Sequence, residues 1–306
     1  MTEAGAVGHG PGEMMGNAGP GMLAGLRVIE VADERAEYVG LLLAGLGAEV
    51  VKIEPPEGNA TRRIGPFLDD QPGPERSLFF WNYNRNKKSV VLDLQEPPAR
   101  EHLLRLLGGA DILLDASCGA LNEALGLDRA ALGVRFRHLV TARMTPFGDD
   151  GPWRDFKSSD LIHLALGGVM MNCGYDPDPN LEYDTPPIAP QVWHAYHIAG
   201  EQLATGIIAA LIHRERSGEG QDISVAIHEA VSKNPEQDHV LGDAPRAVVA
   251  ADQPACRRIS KPLAGYLSFE GRALVHHPRH GCTRPEEPGA AIVQIRRAGR
   301  SAAATA

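Results

Sequence analysis

Only four cysteines occur in 306 residues, at Cys118, Cys173, Cys256 and Cys282, and no two of them form a C-x-x-C pair. A zinc ribbon or a dithiol redox centre is therefore not spelled out. No metal is expected, and reduced thiols in a cytoplasmic protein are the reading that follows. Positive charge is in short supply as well, with 30 Lys and Arg against 39 Asp and Glu and a formal net charge of -9. A nucleic-acid interface needs a basic face, so none is expected. No unbroken apolar run reaches the roughly 18 residues that suggest a membrane span, so no membrane is expected either. Residues 1–22 are rich in glycine but lack a basic start followed by an apolar core, which excludes a secretory signal and leaves a flexible tail. Finally, no G-x-G-x-x-G follows the first apolar strand, LRVIEVA. That omission argues against a dinucleotide site, and no nicotinamide or flavin is expected.

What is present is ordinary globular material: 43% hydrophobic and 23% charged residues, long enough for one large or two ordinary domains. Residues 26–32 read as a strand, 34–46 as a helix by apolar spacing, and 49–53 as a second strand stopped by Pro55 and Pro56. A right-handed crossover makes such a pair parallel. Residues 57–75 form a polar loop holding Arg62 and Arg63, and Asn84, Arg85, Asn86, Lys87 and Lys88 then run into a strand over 89–94. Cations and amides clustered beside a strand suit a phosphate, through charge-assisted hydrogen bonds, or simply form a solvated turn. A helix over 97–107 with Pro98 in its first turn, a strand over 111–115, short helices around Asn122 and Arg129, and a strand over 137–144 continue the alternation. The repeat predicts a Rossmann-like, doubly wound parallel sheet of the α/β class. A long apolar helix over 193–213 and a last strand over 222–227 complete it.

The chain is organised around residues 139–171, LVTARMTPFGDDGPWRDFKSSDLIHLALGGVMM. A covered strand leads into a turn-rich loop broken by Pro146, Gly148, Gly151 and Pro152, and then into an apolar helix. Ser158 or Ser159 can cap that helix, which puts Asp160 in its first turn, where the helix dipole stabilises a carboxylate. A loop between a strand end and a helix start is where open α/β sheets bind anionic ligands. Asp160 reads either as a functional carboxylate at such a site or as a plain helix-start residue.

The segment TPFGDDGPWRDFKSSDLIHLALGG resembles the corresponding loop and helix of the family III CoA-transferases, which include formyl-CoA and carnitine CoA-transferases and α-methylacyl-CoA racemase. The similarity extends through LAGLRVIEV, LLAGLGAEVVKIEPPEGN, NRNKKSVVLDL, LLRLLGGADILLD and GIIAALIHRERSGEGQDISVAIHEA. Several blocks in the right order are more specific than one short motif. The resemblance covers residues 23–231, which it implies are the large domain. Residues 232–306 lose this texture, with a faint echo in PLAGYLSFEGRALVHH. They read as a truncated or divergent small domain and a disordered tail, through truncation, a shifted frame or an incomplete gene model.

The resemblance implies covalent chemistry on coenzyme A: an aspartate attacks an acyl-CoA thioester, gives a mixed anhydride and then an aspartyl-CoA thioester. Coenzyme A and acyl-CoA enter as substrates, with a small carboxylic acid as acceptor. The family's nucleophile sits four residues ahead of a glycine at the start of the long helix, which places Tyr196 at that position, flanked by His194 and His197. A phenol, with a reference pKa near 10, forms no exchangeable anhydride. Asp160 matches an accessory carboxylate near the reacting centre, Lys157 a CoA-contacting lysine, and Leu92 a backbone contact to the adenine-bearing end of CoA. Lys87, Lys88 and Arg62 are further candidates for the CoA phosphates. Other contacts differ: the family's Asn-Phe pair is Ala116-Ser117, its lysine after LDL is Gln95, and its glutamine after the first strand is Glu34. The histidine that a racemase pairs with its aspartate is Ser159, so two-base racemisation is disfavoured. Three readings follow. The chain is a CoA-transferase, or a subunit whose paralogue carries the aspartate in a heterodimer. Alternatively it is a non-catalytic CoA-binding relative. In the third reading, Asp160 is a relocated nucleophile or a base for a lyase or isomerase step. The assembly expected is a homodimer or a heterodimer with a paralogous subunit.

Overall fold

The computed structural model describes residues 21–173, 188–234 and 294–297. Its elements in chain order are β1 (Arg27–Val31), α1 (Glu37–Gly45), β2 (Glu49–Glu54), α2 (Leu78–Asn84), β3 (Lys87–Val91), α3 (Pro97–Gly108), β4 (Ile112–Asp115), α4 (Ala120–Leu125), α5 (Arg129–Arg135), β5 (Val140–Thr145), α6 (Asp160–Leu166), α7 (His194–Ser217), β6 (Gln221–Ala226), α8 (Ile227–Ser232) and β7 (Gln294–Arg297). Short 3-10 turns cover Ala60–Arg63, Leu68–Asp70 and Val169–Asn172. The flexible tail expected over 1–22 and the partial small domain expected over 232–306 fall almost entirely outside the described residues.

The strands form one sheet in the order β3-β2-β1-β4-β5-β6-β7. The pairs β1–β2, β1–β4, β2–β3 and β4–β5 are parallel. The chain builds outward from β1 in one direction and then from β4 in the other, so the sheet is doubly wound, with its topological switch between β1 and β4. The α/β expectation is met. Two details differ. A helix, α2, fills the stretch between the polar loop and the basic cluster, to which the sequence pattern assigns no element, started by the Ser77 side chain accepting the Phe80 N–H at 3.0 Å. The sheet also extends past β6, which had been read as the final strand, to β7.

The described residues divide into two compact units. The first comprises the described residues within Met1–Met144, Leu203–Ser224 and Ile295–Ala306; the second comprises the described residues within Thr145–Gln202 and Val225–Gln294. In the first, Ile29, Val51 and Ile53 of the sheet pack with Leu103, Leu104 and Leu107 of α3 and Leu121, Leu132 and Phe136 beyond them. This is the stripe-on-sheet packing that gives an amphipathic helix its stability. α7 is, among the described residues, the one helix long and apolar enough by length and composition to cross a membrane, and 56% of that window is buried. His197, Glu201 and Gln202 interrupt its apolar sequence, while Ala195, Ala199, Leu203, Ile207 and Ala210 are buried. That burial is what a core helix shows.

Candidate functional site

The organising loop behaves locally as its residues dictate. Thr145 ends β5, and its hydroxyl accepts the Gly148 N–H at 3.0 Å, while Gly148 and Gly151 take positive φ. Ser159 is the cap of α6, its hydroxyl accepting the Ile162 N–H at 3.4 Å. Asp160, the first residue of α6, is 6% exposed and reaches a different helix. Its Oδ1 accepts the Ala195 N–H at 2.8 Å and the Tyr196 N–H at 3.2 Å, two of the donors that the first turn of α7 cannot satisfy internally. Adjacent residues thus cap two helices.

Around this junction the second unit gathers rings. Trp193 stacks on Tyr196 with centroids 5.5 Å apart and planes at 11°. His163, fully buried one turn along α6 from Asp160, meets the same ring edge-on at 6.4 Å. Phe147 lies 5.0 Å from His163 and 5.6 Å from His228, and Trp153 lies 5.7 Å from His228. Tyr196 itself is 3% exposed. Position 196 is therefore a packed aromatic centre with a carboxylate at its backbone.

Burial pushes the Asp160 carboxyl up from its ordinary range, against the two backbone hydrogen bonds, which favour the anion. Burial pushes the His228 imidazole down. His197 also falls, through burial first and the neighbouring His194 second. Lys157 is exposed in the loop, three residues before Asp160. His163 and His228 were not singled out from the sequence. The signal available for His163 was its i+3 spacing from Asp160, which puts both on one helical face.

The first unit treats the expected phosphate contacts differently. β3 begins at Lys87, not at residue 89, because Lys87 and Lys88 pair in register with Val50 and Val51. Lys87 is thereby drawn inward. Its ammonium lies 2.8 Å from Glu30, donates to the Glu37 carbonyl at 2.8 Å and to the Asn84 side chain at 3.1 Å, and is 1% exposed. It belongs to a buried quartet in which Lys52 meets Glu37 at 2.8 Å and Glu30 at 3.0 Å. Burial lowers the pKa of Lys87. It also opposes the charge of Lys52, but Glu30 and Glu37 outweigh it there and the pKa rises. Lys87, a candidate for the CoA phosphates from the sequence, thus has its donors engaged with partners inside the fold. Lys88 stays exposed and pairs with Glu49 at the surface.

Arg62 is likewise engaged within the fold. Its guanidinium holds Glu54 through Nε at 2.6 Å and Nη2 at 2.8 Å, reaches Glu75 at 2.9 Å, and lies 3.8 Å over the Phe80 ring. At Leu92, expected to offer a backbone contact to the adenine-bearing end of CoA, the N–H donates to the Glu54 carbonyl at 2.9 Å. At the switch between β1 and β4, Arg35 binds the Asp33 carboxylate and donates to Cys118 Sγ at 2.8 Å. The pair joins the loops that follow β1 and β4, the end of the sheet at which open α/β folds place ligands. A cavity of about 200 Å³ lies beside β4 and β5, lined by Asp115, Thr141 and Arg143, with Arg143 paired to Asp222 at 3.1 Å. Among the described residues, no group of three or more His, Cys, Asp or Glu side chains is placed to hold a metal ion.

A family model described as CoA-transferase family III matches residues 23–253. The BbsE subunit of succinyl-CoA:(R)-benzylsuccinate CoA-transferase from Thauera aromatica is 35% identical over 204 residues, covering 67% of this chain and 48% of its own. Succinate–glutarate CoA-transferase from Agrobacterium fabrum is 35% identical over 230 residues, covering 73% and 56%. Among solved structures, a CAIB/BAIF family protein from Brucella suis superposes with a TM-score of 0.66 at 31% identity, covering 74% of this chain and 60% of that one. The chain spans about half the length of the curated relatives it matches.

Proposed function

The chain belongs to CoA-transferase family III, and we propose that it takes part in moving coenzyme A between an acyl-CoA and a small carboxylic acid, as one subunit of a heteromer in the cytoplasm. The observation that carries this reading is the residue at 196. The chain keeps the sheet, the loop and the helix start, yet puts a buried phenol where the resemblance implies the attacking aspartate. The described part of the second unit offers one carboxylate at that junction, Asp160, and it is engaged with the helix backbone. A second subunit carrying an aspartate would complete the covalent cycle, in which thioester, anhydride and thioester exchange at similar energy. A relative that is itself named as a subunit supports a heteromeric assembly.

Under this reading the chain contributes binding and shape, with the exposed Lys157 of the second unit as its candidate contact to CoA. The burial of Tyr196 favours a second reading, a CoA-binding relative without turnover, whose simplest assembly is a homodimer. One experiment separates the two. The chain is expressed alone and with a family III paralogue, CoA binding is measured by calorimetry, and exchange of labelled acid into acyl-CoA is followed. Binding alone with exchange only in the pair supports the subunit. Binding without exchange in either supports the non-catalytic relative. No CoA binding in either preparation defeats both.

A further inference from the structure

Asp160 has two things a reacting carboxylate does not combine well. Its Oδ1 is committed to two backbone donors, the Ala195 N–H at 2.8 Å and the Tyr196 N–H at 3.2 Å. It is also buried, 6% exposed, at the start of a 24-residue helix. Attack through that oxygen would turn an anionic acceptor into an ester-like one and weaken both bonds, leaving two buried N–H groups short of a partner. The same bonds do something useful if Asp160 stays as it is. They are charge-assisted, and they sit at the positive end of the α7 dipole.

We propose that Asp160 is a positioning residue: it fixes the first turn of α7, and with it the side chain at position 196, and is not itself the attacking group. α6 delivers this in two contacts one helical turn apart. Asp160 holds the backbone of residue 196, and His163 meets its ring at 6.4 Å. Trp193, one residue before α7, stacks on the Tyr196 ring. The residue at 196 is thus held by its main chain and on two sides of its side chain, an arrangement suited to presenting one group in one orientation. The inference rests on the proposed function only in taking 196 as the family's reacting position; the helix contact stands without it.

The test compares Asp160→Asn with Asp160→Ala in the full chain, with its paralogue when exchange is measured. Asn keeps an Oδ1 acceptor of the same shape and loses the charge and the nucleophile, whereas Ala loses all three. Amide hydrogen exchange at Ala195 and Tyr196 should stay within about threefold of wild type in Asn and accelerate by at least about tenfold in Ala. Acyl exchange should follow the same order, with kcat nearly kept in Asn and reduced in Ala while KM for acyl-CoA is unchanged. Unaltered amide protection in Ala would overturn the proposal. So would loss of turnover in Asn with the amides still protected, since that is the signature of a reacting carboxylate. If the wild type neither binds CoA nor turns over, the proposed function has failed, and the amide comparison alone still decides the role of Asp160.

Discussion

The Lys87 ammonium lies 2.8 Å from the Glu30 carboxylate, with the two side chains 1% and 0% exposed. Taking both charges out of water costs several kcal/mol each, and the arrangement persists because Lys52 and Glu37 complete it: two cations and two anions interlocked beneath α1. Removing one member strands an opposite charge. We expect Lys87→Met to lower stability by about 3–5 kcal/mol. Lys88→Ala, at an exposed pair with Glu49, should leave stability nearly unchanged. Urea midpoints with unchanged slopes would measure both. A Lys87→Met protein as stable as wild type would show that the quartet is not a structural unit.

Gly40 is tied to the same quartet. A Cβ added there would collide with the Glu30 carboxylate and come within 2.9 Å of the Lys87 ammonium. Gly40→Ala should therefore cost about 1–3 kcal/mol, even though alanine is the better helix former. Gly45, on the same helix with nothing within 4 Å of a Cβ, is the control, and alanine there should be neutral or stabilising. Equal thermal shifts for the two variants would remove the quartet from the explanation.

At position 196, Tyr196→Asp restores the carboxylate that the resemblance implies. The substitution surrenders the stacking on Trp193 and a buried ring, a loss on the order of 3 kcal/mol. It places an acid in the first turn of α7, which the helix dipole favours. Incubated with acyl-CoA, this variant should accumulate a covalent CoA adduct detectable by intact mass, whereas wild type and Tyr196→Phe should not. An adduct in wild type, mapped to a carboxylate on this chain, would mean that the nucleophile is already present elsewhere.

The alternation of strand and helix was plain in the sequence because buried parallel strands such as ILLD and EVVKIE read as apolar runs between amphipathic helices. Even so, Glu30 and Lys52, mid-strand and fully buried, break that rule and can be understood only once β1 and β2 are set side by side in register. The placement of Lys87 is hidden for a related reason. Local sequence shows a basic turn, and only the pairing with Val50 reveals that its side chain points under α1. Asp160 was visible as a helix-start residue, and Ser159 as its cap. That the carboxylate serves α7, 34 residues later, could not be read from spacing, because it depends on how two chain-distant helix starts meet. The missing aspartate at 196 was legible only through family resemblance.

Acid should reveal the second buried ion pair. Burial pushes the Glu54 carboxyl up, but hydrogen bonds from Arg62, Ser89 and the Asn59 N–H outweigh it and hold the pKa at about 2, below the ordinary 4.5. A carboxyl more acidic in the folded than in the unfolded chain binds fewer protons when folded. Its contribution is therefore complete above pH 4.5 and is lost as pH falls toward 2. The loss should be on the order of 2 kcal/mol across that window. Arg62→Gln removes the two charge-assisted bonds to Glu54, at 2.6 and 2.8 Å, and returns the carboxyl toward or above its ordinary range. The variant should be less stable at pH 7 and should lose less on acidification, so the two stability curves converge near pH 2. Glu49, held at about 2 by Lys88 and then Arg27, titrates in the same window in both proteins and cancels from the difference. Parallel curves from pH 7 to pH 2 would mean that Glu54 is not held ionised by Arg62, and the same result would return that guanidinium to the list of groups available to a phosphate.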